Sequence, residues 1–414
     1  MKCYAVIVPL AVCFGVGGAL RSQGEVGLAG TGSPTGSTVF TLANVQAAVS
    51  SSISSIEELS MVPDPLAAGR FYGSLTVVGL PSSAGGAGST DILSFVYVRS
   101  GTTETVTYDS NAAVMNTSGA EFGFQWGPDG LYAICDSGAQ KIQATRATTS
   151  AALGSRTAIS GMPTSPSPAR MFPCFINGVR SIVHDSGAIP STIVSRTHDL
   201  AGASVGSTTT TVVSGGNPFG AYAVAGSDGD AEALLSINYV SASSADIDWN
   251  GDLQSSTAPI LWPPFSSYGG YAWSVCLGGG RVFFVNQAKV VEQVDVIGLL
   301  GDELPAAGGQ VDLTAFSPIL PAAATADVTL FYAATSYLSP PVTVTGTQNM
   351  LGIFDSAGLI YLGSGTHAQA SGRAALSFTS PAFSAGTVIP IQGLTQLGAG
   401  GNPFWTSTAA IRYN

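Results

Sequence analysis

The residues with the clearest chemical promise are acidic. Asp246-Ile-Asp248-Trp-Asn250-Gly251-Asp252 sets oxygen-bearing side chains at alternate positions ahead of a glycine. A calcium loop begins this way, with ligands at its first, third and fifth positions and glycine at the sixth. Asp246, Asp248 and Asn250 are therefore the candidate metal ligands. The ninth position is Gln254 and the twelfth is Thr257, where a calcium loop carries a bidentate glutamate. An Asn-Gly hairpin with exposed aspartates accounts for the same residues, so both readings stand. No other cofactor is expected.

Catalytic spacing is sparse. Gly202-Ala203-Ser204-Val205-Gly206 matches GxSxG, but a nucleophile elbow needs a helix after the serine, and the β-prone STTTTVV follows. His184, His198 and His367 have no Asp or Cys partners at ligand or catalytic spacing, and hydrogen-bonded structural histidines are expected. P-loop, dinucleotide and HExxH patterns are absent. The five cysteines, Cys3, Cys13, Cys135, Cys174 and Cys276, are far apart without CxxC spacing, and the later three sit in apolar runs as small buried hydrophobes. These patterns lead to the expectation of a protein that is not an enzyme.

What could hold such residues is set by composition. The 414 residues include 14 Lys plus Arg against 25 Asp plus Glu, a net charge of −11, and only 9% are charged. An ordinary globular domain carries about 25%. With no basic run, a phosphate-binding surface is not built, and nucleic acid is excluded as a partner. Hydrophobic residues make 45% of the chain, with 18 Phe, 13 Tyr and 5 Trp, enough to fill sizeable cores. Only Lys2, Lys141 and Lys289 are lysines. Exposed sheet edges are usually guarded by lysine or proline, so edges here must be closed into a ring or covered by neighbouring chains.

Along the chain, Met1-Lys2, CYAVIVPLAVCFGV and Gly17-Gly18-Ala19 resemble a short signal peptide, too short and Gly-rich for a membrane span. Alternation of Tyr4, Val6 and Val8 fits a strand equally, and a retained docking segment is expected. Next, Thr41 is the expected N-cap of a helix ending at Pro63. Leu42, Val49 and Ile56, with Val45, Ser52 and Leu59, would form a heptad seam joining copies of the chain. The same residues also suit an amphipathic helix lying on its own domain.

The strongest signal is a diverged repeat. Aromatic-rich starts at Phe71, Phe122, Met171, Phe219 and Tyr268 recur at intervals of 51, 49, 48 and 49 residues. Turns at Asp129-Gly130, Asn177-Gly178, Asp228-Gly229 and Gly278-Gly279-Gly280 precede a second apolar strand, and a more polar third strand follows. Units of strand, turn, strand, turn, strand are β-meanders, and stacking them radially gives a β-propeller of about five blades. The fold class is all-β, with a docking segment and helix over 1–65, the propeller-like domain over 66–303 and a final β-sandwich over 304–414.

That last region resembles the jelly-roll modules of tailed-phage virion proteins. Met350–Tyr361 (MLGIFDSAGLIY) matches their "LGIYD-x-x-G-x-L" element. Phe383–Ile389 matches their "L-x-P-G-T-Y-x-L" element, without its Pro and Tyr. The resemblance implies a tail-fibre or receptor-binding protein of a phage virion. Its partners would be other virion proteins and a host-surface polysaccharide or receptor, with the chain assembled as a homo-oligomer, a trimer by analogy with fibres. Tyr361 and Trp405 are the candidate receptor contacts, as aromatic rings that stack on sugars, although core packing also uses such rings. The alternatives are a secreted or surface-anchored bacterial propeller, lectin or hydrolase, and a capsid decoration or head-fibre protein.

Overall fold

The computed structural model describes residues 35–413 apart from 65–69, 101–102, 138–139, 163–170, 177, 186–191, 214–217, 226–230, 242–243, 251–259, 262–273, 279–280, 296–298, 301–304, 317–326, 348–349, 368–372, 397 and 399–402. The fold is nearly all-β. Among the described residues no helix is long and apolar enough to cross a membrane. The N-terminal docking segment, Tyr268 and the Asp228-Gly229 turn lie outside the described residues.

Five antiparallel sheets follow one another. The first runs Ser55–Pro63, Arg70–Val78, Thr90–Ser100, Thr103–Asp109, and the second Glu121–Trp126, Tyr132–Ser137, Gln140–Thr145, Thr157–Ala158. The third is Met171–Ile176, Val179–Asp185, Ile193–Asp199, whose last strand pairs with both Ser204–Val205 and Thr210–Val213. The fourth is Pro218–Ala225, Ala231–Ser241, Ser244–Asn250, Ile260–Leu261. The fifth, Ser274–Gly278, Arg281–Val285, Val291–Asp295, takes its outer strand from the other end of the chain: Thr35 and Gly36 pair with Gln293 and Glu292.

The first strand of each sheet packs on that of the next, and Ser274–Gly278 packs on Ser55–Pro63, so the five contact one another cyclically. Between sheets one and five lie Phe40, Phe95, Tyr97 and Phe283, with ring centroids 5.0–6.0 Å apart. The Asp129-Gly130 turn forms as expected, with Gly130 at φ +68° and the Leu131 amide donating to Asp129 Oδ1 at 2.9 Å.

The long seam helix is corrected. Thr41 does cap a helix, its Oγ1 accepting from the Asn44 amide at 3.1 Å, but that helix is only Leu42–Ala48. Ser50, Ser52 and the Gly79 carbonyl exchange side-chain hydrogen bonds that compete with helical ones. Residues 55–63 then pair with 70–78 as a strand. Val45, Ile56 and Leu59 are buried in the chain's own core, with Leu42 and Val49 packed against it. The apolar seam points inward, and the first sheet begins at Ser55, ahead of the expected boundary at 65/66. Phe71 consequently sits on a second strand, whereas Phe122, Met171 and Phe219 sit on first strands.

After residue 300 a separate core forms around Val311, Leu313, Phe331, Ile391, Ile411 and Tyr413. One sheet orders Leu299–Leu300, Gln310–Phe316 and Arg373–Thr379. The other orders Ile360–Thr366, Val328–Ala333, Val388–Gln396 and Phe404–Arg412. A ribbon of Ser336–Thr343 and Met350–Phe354 packs on the second sheet. The expected turn Asp355-Ser356-Ala357-Gly358 is present, with Gly358 at φ +101°. Its flanking strands are not a hairpin, because each pairs with a different sheet.

Candidate functional site

Along Val328–Ala333 the side chains alternate: Thr329, Phe331 and Ala333 are buried, while Leu330 and Tyr332 take the opposite face. Register sets Tyr361 directly opposite Tyr332 on one side and Gln392 opposite it on the other. One strand further on, Trp405 pairs with Leu394. The Tyr332 ring lies 5.7 Å from Tyr361 and 6.0 Å from Trp405, tilted by 56° and 59°. The two candidate contacts are therefore joined into one aromatic run by Tyr332.

The members differ in access. Tyr361 is 55% exposed and Ile360 beside it equally so, whereas Trp405 is 6% exposed. Burial raises the pKa of Tyr332, and the neighbouring Tyr361 adds to the shift, so its phenol is neutral at pH 7. Gln392 fixes the adjoining ribbon: its Oε1 accepts from the Gly352 amide and its Nε2 donates to the Thr406 carbonyl, both at 2.8 Å. The Tyr337 hydroxyl adds a 3.0 Å bond to the Ala409 carbonyl. An exposed ring on a rigid sheet with phenolic hydroxyls beside it can stack on the C–H face of a sugar and hydrogen-bond its hydroxyls.

Among the described residues the middle of the cyclic region holds a small polar cavity. Glu58 is buried, its Oε2 accepting from the Gly123 amide at 2.5 Å and the Thr76 hydroxyl at 3.3 Å. Ser60 bonds Ser74 and the Phe124 carbonyl, and the Leu59 amide donates to Ser274 Oγ. The cavity among these residues has a volume of ≈ 20 Å³. It admits about one water molecule and no sugar ring.

The acidic cluster is described as far as Asn250. Asp246, Asp248 and Asn250 lie on a strand that pairs with 231–241 on one side and 260–261 on the other. Such a strand spaces alternate residues about 7 Å apart, whereas a calcium loop winds them around one ion. Gly251 to Thr257 lie outside the described residues. No group of three His, Cys, Asp or Glu among the described residues is placed to hold a metal.

Ser204 of the GxSxG match sits opposite Asp199 across a tight hairpin, with Ala203 at φ +46° and no helix following. His198 Nε2 bonds Gln143 Oε1 at 2.8 Å, His184 Nδ1 meets the Asp185 carbonyl, and His367 Nε2 bonds Thr329 Oγ1 at 2.7 Å. Cys135, Cys174 and Cys276 are buried thiols, and burial pushes the pKa of Cys135 and Cys276 upward. Sequence reasoning missed Tyr332 as the link in the aromatic run. The alternation of Leu330 and Tyr332 against Phe331 and Ala333 was the signal available for it.

No protein-family model matches the chain, and no curated protein matches it. Among solved structures it is similar to the Bacteroides ovatus xyloglucan PUL GH43B, at 9% identity and a TM-score of 0.36, covering 87% of this chain and 94% of that one. It is also similar to a luciferin-regenerating enzyme at 10% identity and a TM-score of 0.30, covering 63% of this chain and 95% of that one. The expectation of a protein that is not an enzyme is corrected here: it rested on missing motifs alone, and two of the solved structures that the chain is similar to are of a GH43 protein and an enzyme. An all-β chain without a familiar catalytic spacing is no ground for excluding catalysis, and likeness of fold assigns no activity either.

Proposed function

We propose that this chain recognises an extracellular polysaccharide through its C-terminal module. In this reading the five cyclically packed sheets are a five-bladed propeller, and the module is a jelly roll. The observation that carries the reading is the run Tyr361–Tyr332–Trp405, exposed at one end and anchored at the other. The small central cavity supports placing recognition on the module. The phage-like Met350–Tyr361 element supports a virion setting, at the point of contact with the host surface. A secreted or surface-anchored lectin would use the same chemistry.

Glycan-array binding of the full chain tests the reading. Wild type should retain a defined set of surface polysaccharides, and Tyr361→Ala should weaken them about fivefold to tenfold, the loss of one stacked ring at about 1 kcal/mol. Equal binding by the variant removes the platform from the proposal. Labelling of purified particles with an antibody to the chain separates the settings: decoration of virions supports the phage reading, and decoration of bacterial surfaces alone supports the lectin.

A further inference from the structure

Sheet edges left open to solvent are templates for pairing, and proteins blunt them by shortness, bulges, lysine or proline. Among the described residues, the outer strands of the second and third sheets are short: Thr157–Ala158 has two residues, and Thr210–Val213 has four with a register shift against its partner. The long edges of the C-terminal module are turned against one another: Ile360–Thr366 lies beside Arg373–Thr379, and Phe404–Arg412 beside Leu299–Leu300.

Among the described outer strands of the cyclic sheets, Thr103–Asp109 is the longest. It is the terminal strand of the first sheet, seven residues long, and pairs with Ser94–Ser100 without a bulge. It holds neither lysine nor proline. Lys141 is committed to Asp136 and Lys289 to Glu57, so neither guards this edge. Glu104, Val106 and Tyr108 are half-buried on the core side, Glu104 held by the Tyr97 hydroxyl at 2.6 Å and by Arg281. Thr103, Thr105 and Thr107 are exposed on the other.

We propose that Thr103–Asp109 is a self-association edge whose occupant is the same strand of a second copy, joining two first sheets into one continuous eight-stranded sheet. A two-fold axis at Val106 sets Thr105 opposite Thr107, Glu104 opposite Tyr108, and Thr103 opposite Asp109. No acidic residue then faces another, which matters in a chain of net charge −11. Threonine pairs across antiparallel strands are favourable, and an isologous contact of this kind closes at two copies. The association is therefore a dimer, in place of the fibre-like trimer expected from resemblance.

The test is light scattering on the full chain at micromolar concentration. Wild type should show a mass twice the 41.7 kDa of the chain. Thr105→Lys/Thr107→Lys, which puts two cations on each edge strand, should show the single-chain mass with the wild-type melting temperature. A single-chain or three-chain mass for wild type overturns the proposal, as does a lysine variant that stays dimeric. Should the variant fold poorly, hydrogen exchange on wild type decides. Amides of 103–109 should exchange more slowly as protein concentration rises, and concentration-independent exchange there overturns the proposal.

Discussion

The guanidinium of Arg146 lies 4.1 Å from the ring centroid of Trp126 and 4.7 Å from that of Tyr72. A cation of the second sheet is thus held between an aromatic of its own sheet and one of the first. Its Nε donates to the Gly130 carbonyl at 2.6 Å and its Nη1 to the Ala151 carbonyl at 3.4 Å, while Nη2 is buried without a partner. Burial lowers its pKa, the sign of an incompletely compensated charge. Arg146→Ala should destabilise the chain by about 2–4 kcal/mol, since desolvated cation–π contacts reach about 2 kcal/mol and packing is lost as well. Arg146→Met should cost less, because it fills the slot and removes the buried charge. Urea denaturation ranks the two, and an Arg146→Met variant as unstable as Arg146→Ala would mean that charge rather than packing dominates.

The second and third sheets meet through a buried histidine. His198 is 5% exposed, bonded to Gln143 and set 5.6 Å from the Tyr132 ring. Burial lowers its pKa to about 4, and the nearby Arg180 adds to the shift. Burial lowers that of His184 as well. A folded pKa below the unfolded value of about 6.5 means the unfolded chain binds protons first as pH falls. This contribution to stability is complete above pH 6.5 and is lost progressively toward pH 4. Melting temperature should decline over that window, and His198→Gln should flatten the decline. An unchanged slope in the variant would locate the acid sensitivity in other groups.

How much of this was legible depends on where each contact falls in the chain. Repeated sheets, the Thr41 cap and the Asp129-Gly130 turn are local patterns, and each was readable. The strand 55–63 was not, because Glu57 and Glu58 give it a helical texture. Their partners, Lys289 and the Gly123 amide, lie far along the chain and only the fold supplies them. The aromatic run was half legible. Tyr361 and Trp405 could be singled out by type, but the strand order that sets Tyr332 between them is not sequential.

A buried ion pair offers a sharper test of packing in the second sheet. Lys141 and Asp136 are bonded to each other and nearly inaccessible, and burial raises the Asp136 pKa against the opposing effect of Lys141. Lys141→Met alone leaves that carboxylate unpaired and should cost about 3–5 kcal/mol. Adding Asp136→Leu should recover most of the loss, because two apolar groups replace two desolvated charges. Chemical denaturation of both variants checks this, and an additive double variant would show that the two side chains act independently.

The last prediction separates contact from support in the aromatic run. Tyr361 is mostly exposed and Trp405 mostly buried, although their rings both lie about 6 Å from Tyr332. Truncating an exposed ring removes ligand contact at little cost to folding, whereas truncating a buried tryptophan costs about 3–5 kcal/mol. Tyr361→Ala should therefore melt within a degree or two of wild type, a surface change worth less than about 0.5 kcal/mol, while binding polysaccharide about fivefold to tenfold more weakly. Trp405→Ala should lose stability first. Trp405→Phe keeps a ring in the core and should preserve both properties in large part. Differential scanning calorimetry and polysaccharide affinity electrophoresis on the three variants give the comparison. If Tyr361→Ala binds normally while Trp405→Phe, fully folded, does not, then recognition runs through the buried end of the row, and the exposed ring serves some other contact.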